Sequence, residues 1–176
     1  MLKVNLNLRN VIAIAICLAG SVTMFAQNNT TDEGVMIAGV KWATRNVGKS
    51  GTFVSSPQDY GNLYTWEDAQ YVCPKGWRLP TKKEFETLSI SGKWTTIPAN
   101  GYIFGSGNNI IFLPAAGYEF GEGTQSEGHL GYYWSRSKYE GHGGYAYYLY
   151  INEGLSQTTE FALISYYGYS VRCVAE

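Results

Sequence analysis

Apolar residues in this chain fall in short runs, and their spacing changes character along its length. A continuous apolar stretch from Val11 to Cys17, extended by Leu18 and Ala19, follows the basic residues Lys3 and Arg9. Val35 to Thr44 alternates apolar with polar or small residues, which predicts a first strand with Trp42 turned inward. Asn46 to Asp59, with Gly48, Gly51, Pro57 and several serines, reads as a loop. Thr65 and Asp68 start a short helix that Pro74 stops, so that Cys73 hangs from its last turn. Thr81 and Glu84, three apart after Pro80, form a capping box for a second helix, whose Phe85 and Leu88 share a face. From Gly101 onward, short apolar runs are separated by glycine-rich turns. Ile110–Leu113, Gly131–Ser135, Tyr145–Ile151 and Tyr169–Val174 read as strands, and Glu119–Leu130 and Arg136–Gly144 as long loops.

The ends divide the chain. Residues 1–26 have the charged, apolar and small-residue regions of a secretory signal cleaved near Ala26–Gln27, and the apolar run falls short of the roughly 20 residues a membrane span needs. An uncleaved anchor and lipidation at Cys17 are the rival readings. Residues 27–34 are polar and read as a flexible leader. Residues 35–176 are the folded domain, of a size that supports a core. The expected address is therefore outside the cell or in its envelope, with no membrane span in the mature chain.

Charge and sulfur narrow the picture further. Of the 13 basic residues, losing Lys3 and Arg9 leaves 11 against 14 acidic ones, a net charge of −3. So slight and mixed a charge does not fit nucleic acid, which selects clustered Lys and Arg. Without Cys17 the mature chain keeps two cysteines, and an even pair in an exported chain reads as a disulfide between Cys73 and Cys173. The alternatives are metal ligation or free thiols; with two histidines and no Cys-x-x-Cys spacing, metal has little to work with.

Six motifs follow one another in order. They are Lys41-Trp42-Ala43-Thr44 running to Gly48, Ser56-Pro57 running to Asn62, Gly76-Trp77-Arg78-Leu79-Pro80-Thr81 running to Phe85, Phe112-Leu113-Pro114-Ala115-Ala116-Gly117-Tyr118, Gly131-Tyr132-Tyr133-Trp134-Ser135, and Gly168 to Val174. Together they resemble the major paralogous domain family named from Fibrobacter succinogenes, abundant in exported Bacteroidetes proteins, over about residues 35–175. The resemblance implies an α+β, C-type-lectin-like fold: two short helices, a twisted antiparallel sheet that brings the termini together, a long loop-rich half carrying the ligand site, and one disulfide from the first helix to the last strand. Formylglycine-generating enzymes share the Arg78-to-Glu84 block, but their oxidation needs a copper-binding cysteine pair. This chain has no thiol to spare beyond the bridge. The block has its own structural reading, as a proline-fixed helix entry with a cap and an Arg that pairs across the core.

The remaining chemistry is sparse. The Glu-Pro-Asn, Gln-Pro-Asp and Trp-Asn-Asp triplets of calcium-dependent lectins are missing: Pro98 lacks the flanking carboxylate, and Trp134-Ser135-Arg136 lacks the oxygen ligands. A calcium site from Glu119, Glu122 and Glu127 is the weaker alternative. His129 and His142 lie in glycine-rich loops with no nucleophile elbow, so they read as solvated. Glu119 and Glu122 fix no distance that glycoside hydrolysis would need. No enzyme activity, metal or cofactor is implied.

The 15 Tyr and 5 Trp are what the composition adds, set among Gly, Ser and Asn as in binding loops built from rigid amphipathic rings. Most of them read as packing residues, with one face of Tyr145–Ile151 in the core and Tyr167, Tyr169, Val171 and Cys173 drawn inward together. The candidates for ligand contact are Tyr118, Tyr132, Tyr133, Trp134, Tyr139, Tyr145 and Tyr166. The expected function is an exported, non-enzymatic module that binds a surface glycan or a protein. The rival expectations are a self-assembling envelope protein and, least favoured, a formylglycine-generating-type oxidase.

Overall fold

A computed structural model of the protein describes residues 30–141, 143–159 and 166–176. The expected signal segment, Cys17 and His142 lie outside the described residues. The described residues are mostly β, with two short helices and one disulfide among them.

The first and last described strands share one four-stranded sheet. Strands β1 (Val35–Ile37) and β2 (Val40–Trp42) form a hairpin, β2 pairs with β13 (Val174–Ala175), and β13 pairs with β3 (Trp77–Arg78). The single strand expected over Val35–Thr44 is therefore two. Ala38 and Gly39 both take positive φ, 50° and 81°, and close a two-residue turn of the kind whose twist matches antiparallel strands. The turn puts Ile37 and Trp42, five residues apart, in one buried cluster; in an unbroken strand they would point to opposite faces. The leader is also less free than its polarity suggests. The Asp32 carboxylate accepts hydrogen bonds from the backbone N–H groups of Gly34 and Thr44, the Thr44 hydroxyl and Arg45 Nε, pinning this stretch to the domain.

Helix α1 (Trp66–Ala69) is capped by Thr65, whose side chain accepts from the Asp68 N–H, but it ends well before Pro74. Cys73 thus leaves from the turn beyond the helix rather than from its last turn. It reaches Cys173, just ahead of β13, with Cα atoms 6.1 Å apart across a sequence separation of 100. Helix α2 (Lys82–Ser89) has the expected capping box and buries Phe85 and Leu88. Glu84 serves two partners, because Arg78 grips the same carboxylate from β3 at 2.7 and 3.0 Å. Burial alone would raise the Glu84 pKa, but bonds from Arg78, the Thr81 N–H and the Thr81 hydroxyl outweigh it and hold the carboxyl below its usual range. The Arg78–Glu84 block accordingly has a complete structural role.

Two further three-stranded sheets build the body. One is β4 (Gly92–Thr95), β5 (Gly101–Ser106) and β6 (Asn109–Pro114), in that order. The other is β11 (Leu155–Thr159), β10 (Ala146–Asn152) and β9 (Gly131–Lys138). Strand β9 runs further than Gly131–Ser135, which shortens the expected loop after it. A small third sheet, β12 (Tyr167–Gly168), β7 (Tyr118–Phe120) and β8 (Thr124–Gln125), occupies part of the expected loop Glu119–Leu130.

Strands β9 and β10 separate two cores, so both faces of Tyr145–Ile151 are used rather than one. Trp134, Ala146 and Tyr148 enter the core that holds Val47, Phe53, Trp66, Leu79, Tyr169, Val171 and Cys173. Tyr133, Leu149 and Ile151 enter the other, with Trp42, Phe85, Leu88, Phe104, Leu113 and Val174. The register shifts between Ala146 and Tyr148, where β9 carries the extra residues, while the alternation along β10 holds. Tyr147, half-buried at that point, meets Lys82, whose Nζ lies 3.9 Å from its ring centre.

The Gly168–Val174 motif carries a buried cation. Arg172 is fully buried and donates to Asn46 Oδ1 from Nε and Nη2, to the Ala43 carbonyl from Nη1 and to the Phe112 carbonyl from Nη2. Asn46 Nδ2 donates in turn to the Tyr60 carbonyl, and the Tyr133 hydroxyl donates to the Pro114 carbonyl at 2.6 Å. Burial lowers the Arg172 pKa to about 10, which leaves it charged at neutral pH.

Candidate binding face

The pairing of β7 with β12 sets Tyr167 opposite Phe120 and Gly168 opposite Glu119. That short ladder lays a line of aromatic rings along one side of the molecule. Phe120 stacks on Tyr167 at 5.0 Å between ring centres, and Tyr167 meets Tyr118 at 6.0 Å and Tyr169 at 5.7 Å. Tyr132, from β9, stacks on Tyr169 at 4.9 Å and touches Tyr118, Tyr148 and Tyr150 at 5.1 to 5.6 Å. The series grades inward. Phe120 is 50% exposed, Tyr118, Tyr132, Tyr150 and Tyr167 are half-buried, and Tyr148, Tyr169 and Trp134 are core. Such packing holds the outer rings in place before any ligand arrives, which lowers the entropy lost on binding. Burial, and after it the neighbouring tyrosines, raise the pKa of the Tyr132 and Tyr169 hydroxyls, so these rings present neutral phenols.

A groove of about 280 Å³ opens where this platform meets α1. Tyr64, Thr65, Asp68, Glu119, Tyr166 and Tyr167 line it. Tyr166 is 64% exposed at its rim. The Tyr64 hydroxyl is turned away, donating to the Gly48 carbonyl, so its ring rather than its oxygen faces the groove. Gly168 makes the arrangement possible: a Cβ there would lie 2.9 Å from the Glu119 Cβ and 3.0 Å from its Oε2.

The structure thus sorts the seven aromatic candidates. Tyr118 and Tyr132 belong to the platform and Tyr166 to the groove. Tyr133 and Trp134 do not offer contact surface: both are fully buried, with the Trp134 Nε1–H spent on the Tyr64 carbonyl at 2.7 Å. They are interior walls because adjacent residues of β9 point into opposite cores. Tyr139 lies elsewhere, edge-on to Tyr147 at 5.8 Å in a second depression of about 420 Å³ that also holds Lys82, Lys83, Lys138 and Glu86. Tyr145 is half-buried ahead of β10, and its carbonyl accepts from the Tyr139 N–H. Phe120, Tyr150, Tyr167, Asp68 and Glu119 were not among the expected contact residues. Tyr167 belongs to the face expected to turn inward, the sequence leaves open which face of Tyr145–Ile151 carries Tyr150, and the two-residue strand that brings Tyr167 to Phe120 leaves no periodic trace. Glu119, Glu122 and Glu127 do not assemble a metal site: among the described residues no three His, Cys, Asp or Glu side chains gather at ligand distance.

Comparison with known families bears on all of this. The profile of the Fibrobacter succinogenes major domain matches residues 26–175. The chain belongs to this family. The match spans the terminal sheet, both helices and the tyrosine platform, so the candidate face of this Fibrobacter succinogenes major domain is part of the family unit and not an appendage to it. No curated protein and no solved structure is significantly similar to the chain. Among the described residues no helix is long and apolar enough to cross a membrane.

Proposed function

We propose that the protein is an exported, non-enzymatic binding module of C-type-lectin-like type that holds a surface glycan on its tyrosine platform. The observation that carries this reading is the graded stack from Phe120 through Tyr167 and Tyr132 to Tyr169, opening into a groove walled by two carboxylates. Sugar rings stack on aromatic faces through their C–H groups while carboxylates accept from their hydroxyls. The lectin-like assignment draws support from first and last described strands joined in one sheet, two short helices ahead of the β-rich half, and a disulfide linking early and late segments. The non-enzymatic part rests on both cysteines being spent in the bridge and on Glu84 being held by Arg78 and Thr81.

Screening the secreted domain against an array of surface glycans tests the proposal. Binding that disappears in the Tyr167→Ala, Phe120→Ala variant, with the thermal transition retained, is the expected result. Equal binding by that variant would remove the platform from the function.

One observation favours the self-assembling alternative. An apolar depression of about 320 Å³ is lined by Pro57, Pro98, Ile103, Ile110 and Phe112, with Ile97 exposed beside it in the chain. Size-exclusion chromatography at several concentrations separates the two readings, because self-association through this depression proceeds without any sugar.

A further inference from the structure

The groove beside the platform has a charge character of its own, and it goes beyond the proposal that a glycan binds there, on which it rests. Among the described residues its charged lining is Asp68 and Glu119, with no Lys, Arg or His. Each carboxylate is placed rather than incidental. The Thr65 hydroxyl donates to Asp68 Oδ2 at 2.8 Å while Thr65 also caps α1, which fixes the Asp68 rotamer. Asp68 Oδ1 accepts nothing from the described residues. Glu119 is anchored by the β7–β12 ladder, lies over the bare backbone of Gly168, and has no hydrogen bond or ion pair among the described residues. The field of Asp68 is felt locally: burial first, and Asp68 after it, raise the Tyr64 pKa against a lowering bond from Asn62.

We infer that this groove selects saccharides by charge, preferring an amine-bearing sugar to a neutral one and refusing carboxylated or sulfated ones. An ammonium group offers three donors to the Asp68 and Glu119 carboxylates, of which Asp68 is engaged only by Thr65, and hydrogen bonds between charged groups are stronger than neutral ones. An anionic sugar would meet two like charges with no cation among the described lining residues to offset them, and such juxtapositions act strongly against a wrong partner. The second depression sets Lys82, Lys83 and Lys138 against Glu86 and Glu140, so the purely acidic lining is a feature of the groove beside the platform and is not shared by that depression.

The experiment titrates the secreted domain with length-matched oligomers of glucosamine, N-acetylglucosamine and galacturonate, at low and at physiological salt. The expected result is glucosamine binding at least about tenfold tighter than N-acetylglucosamine, galacturonate failing to bind, and the preference shrinking as salt rises. Glu119→Gln, which keeps the shape of an exposed side chain and leaves the β7–β12 backbone pairing in place, should bring the amine preference to within about twofold while N-acetylglucosamine still binds. Galacturonate binding as well as glucosamine, or a preference untouched by Glu119→Gln, would overturn the inference. Binding that Tyr167→Ala abolishes but that ignores charge sinks the charge preference alone. No binding by any of the three oligomers, with Tyr167→Ala indistinguishable from wild type, sinks the platform reading as well.

Discussion

Removing Asn46 should harm this protein more than removing the arginine it serves. Arg172 is wholly buried and charged, and no carboxylate among the described residues hydrogen-bonds to it. Asn46 supplies two of its four bonds, at 2.7 and 3.0 Å. A hydrogen bond to a charged group contributes about 1.5–3 kcal/mol, so Asn46→Ala forfeits about 3–6 kcal/mol, and the cation keeps only carbonyls as hydrogen-bond acceptors, with Asp32 acting on it through space alone. Measured losses on stranding a buried charge, about 3–5 kcal/mol, place the expectation in the same range. For a domain of this size that is a fall in Tm of roughly 6–20 °C. Arg172→Met strands three neutral acceptors, at about 1–3 kcal/mol each, but also abolishes the desolvation of the guanidinium, which is worth several kcal/mol in the opposite sense. The net loss is therefore smaller. The decisive measurement is urea unfolding of both single variants and the double variant with the disulfide intact. Asn46→Ala should be the least stable of the three, and adding Arg172→Met to it should restore stability at an unchanged m-value. Additive losses in the double variant, or an Asn46→Ala loss below about 1 kcal/mol, would refute the idea of an amide standing in for a counter-ion.

Other consequences are simpler. Cys173→Ser should cost about 2–5 kcal/mol, because the Cys73–Cys173 bridge closes a separation of 100 residues, for which chain entropy sets a ceiling near 4.7 kcal/mol; an unchanged midpoint in oxidising buffer would contradict this. Glu84 has its folded pKa lowered, so the stability it lends is fully present above the ordinary glutamate value of about 4.3 and drains as pH falls through the folded value. Glu84→Gln should therefore be less stable at neutral pH and show a flatter acid limb, whereas parallel pH profiles for the two proteins would show that Arg78 and Thr81 do not bias this carboxyl.

Local chemistry was readable where a few adjacent residues decide the outcome. Thr81 and Glu84 specify the start of α2 by themselves, since the cap needs only the two side chains and three backbone steps between them. The cysteine pair is readable because setting aside Cys17 with the expected signal leaves two sulfurs and one pairing, the one the structure makes. The first strand was misread for a physical reason: Ala38 and Gly39 interrupt an apolar alternation that looks continuous on paper. Only the shared burial of Ile37 and Trp42 reveals the turn. Helix α1 was overextended because Pro74 limits where a helix must stop, not where it does stop. Arg172 left no sign of its burial, since an arginine between Val171 and Cys173 reads equally well as a solvated strand residue.

The binding face resisted sequence reading because tyrosine is suited to core and surface alike, and strand geometry rather than residue type assigns it. Tyr132 and Tyr133 are neighbours on β9, yet one supports the platform and the other fills the opposite core. Alternation predicts that they part company but not which goes where, since β9 and β10 are covered on both faces and no polar face marks the outside. Tyr167 is settled by its pairing with Phe120 through a two-residue strand, a contact between distant segments for which neither segment carries a signature. Its ring is half-buried because Tyr169 packs on it from within and Phe120 of β7 stacks on it from outside. Phe120, the outermost ring of the series, is held by that stacking and still half exposed. That combination, rather than the abundance of tyrosine, is what the proposed recognition would draw on.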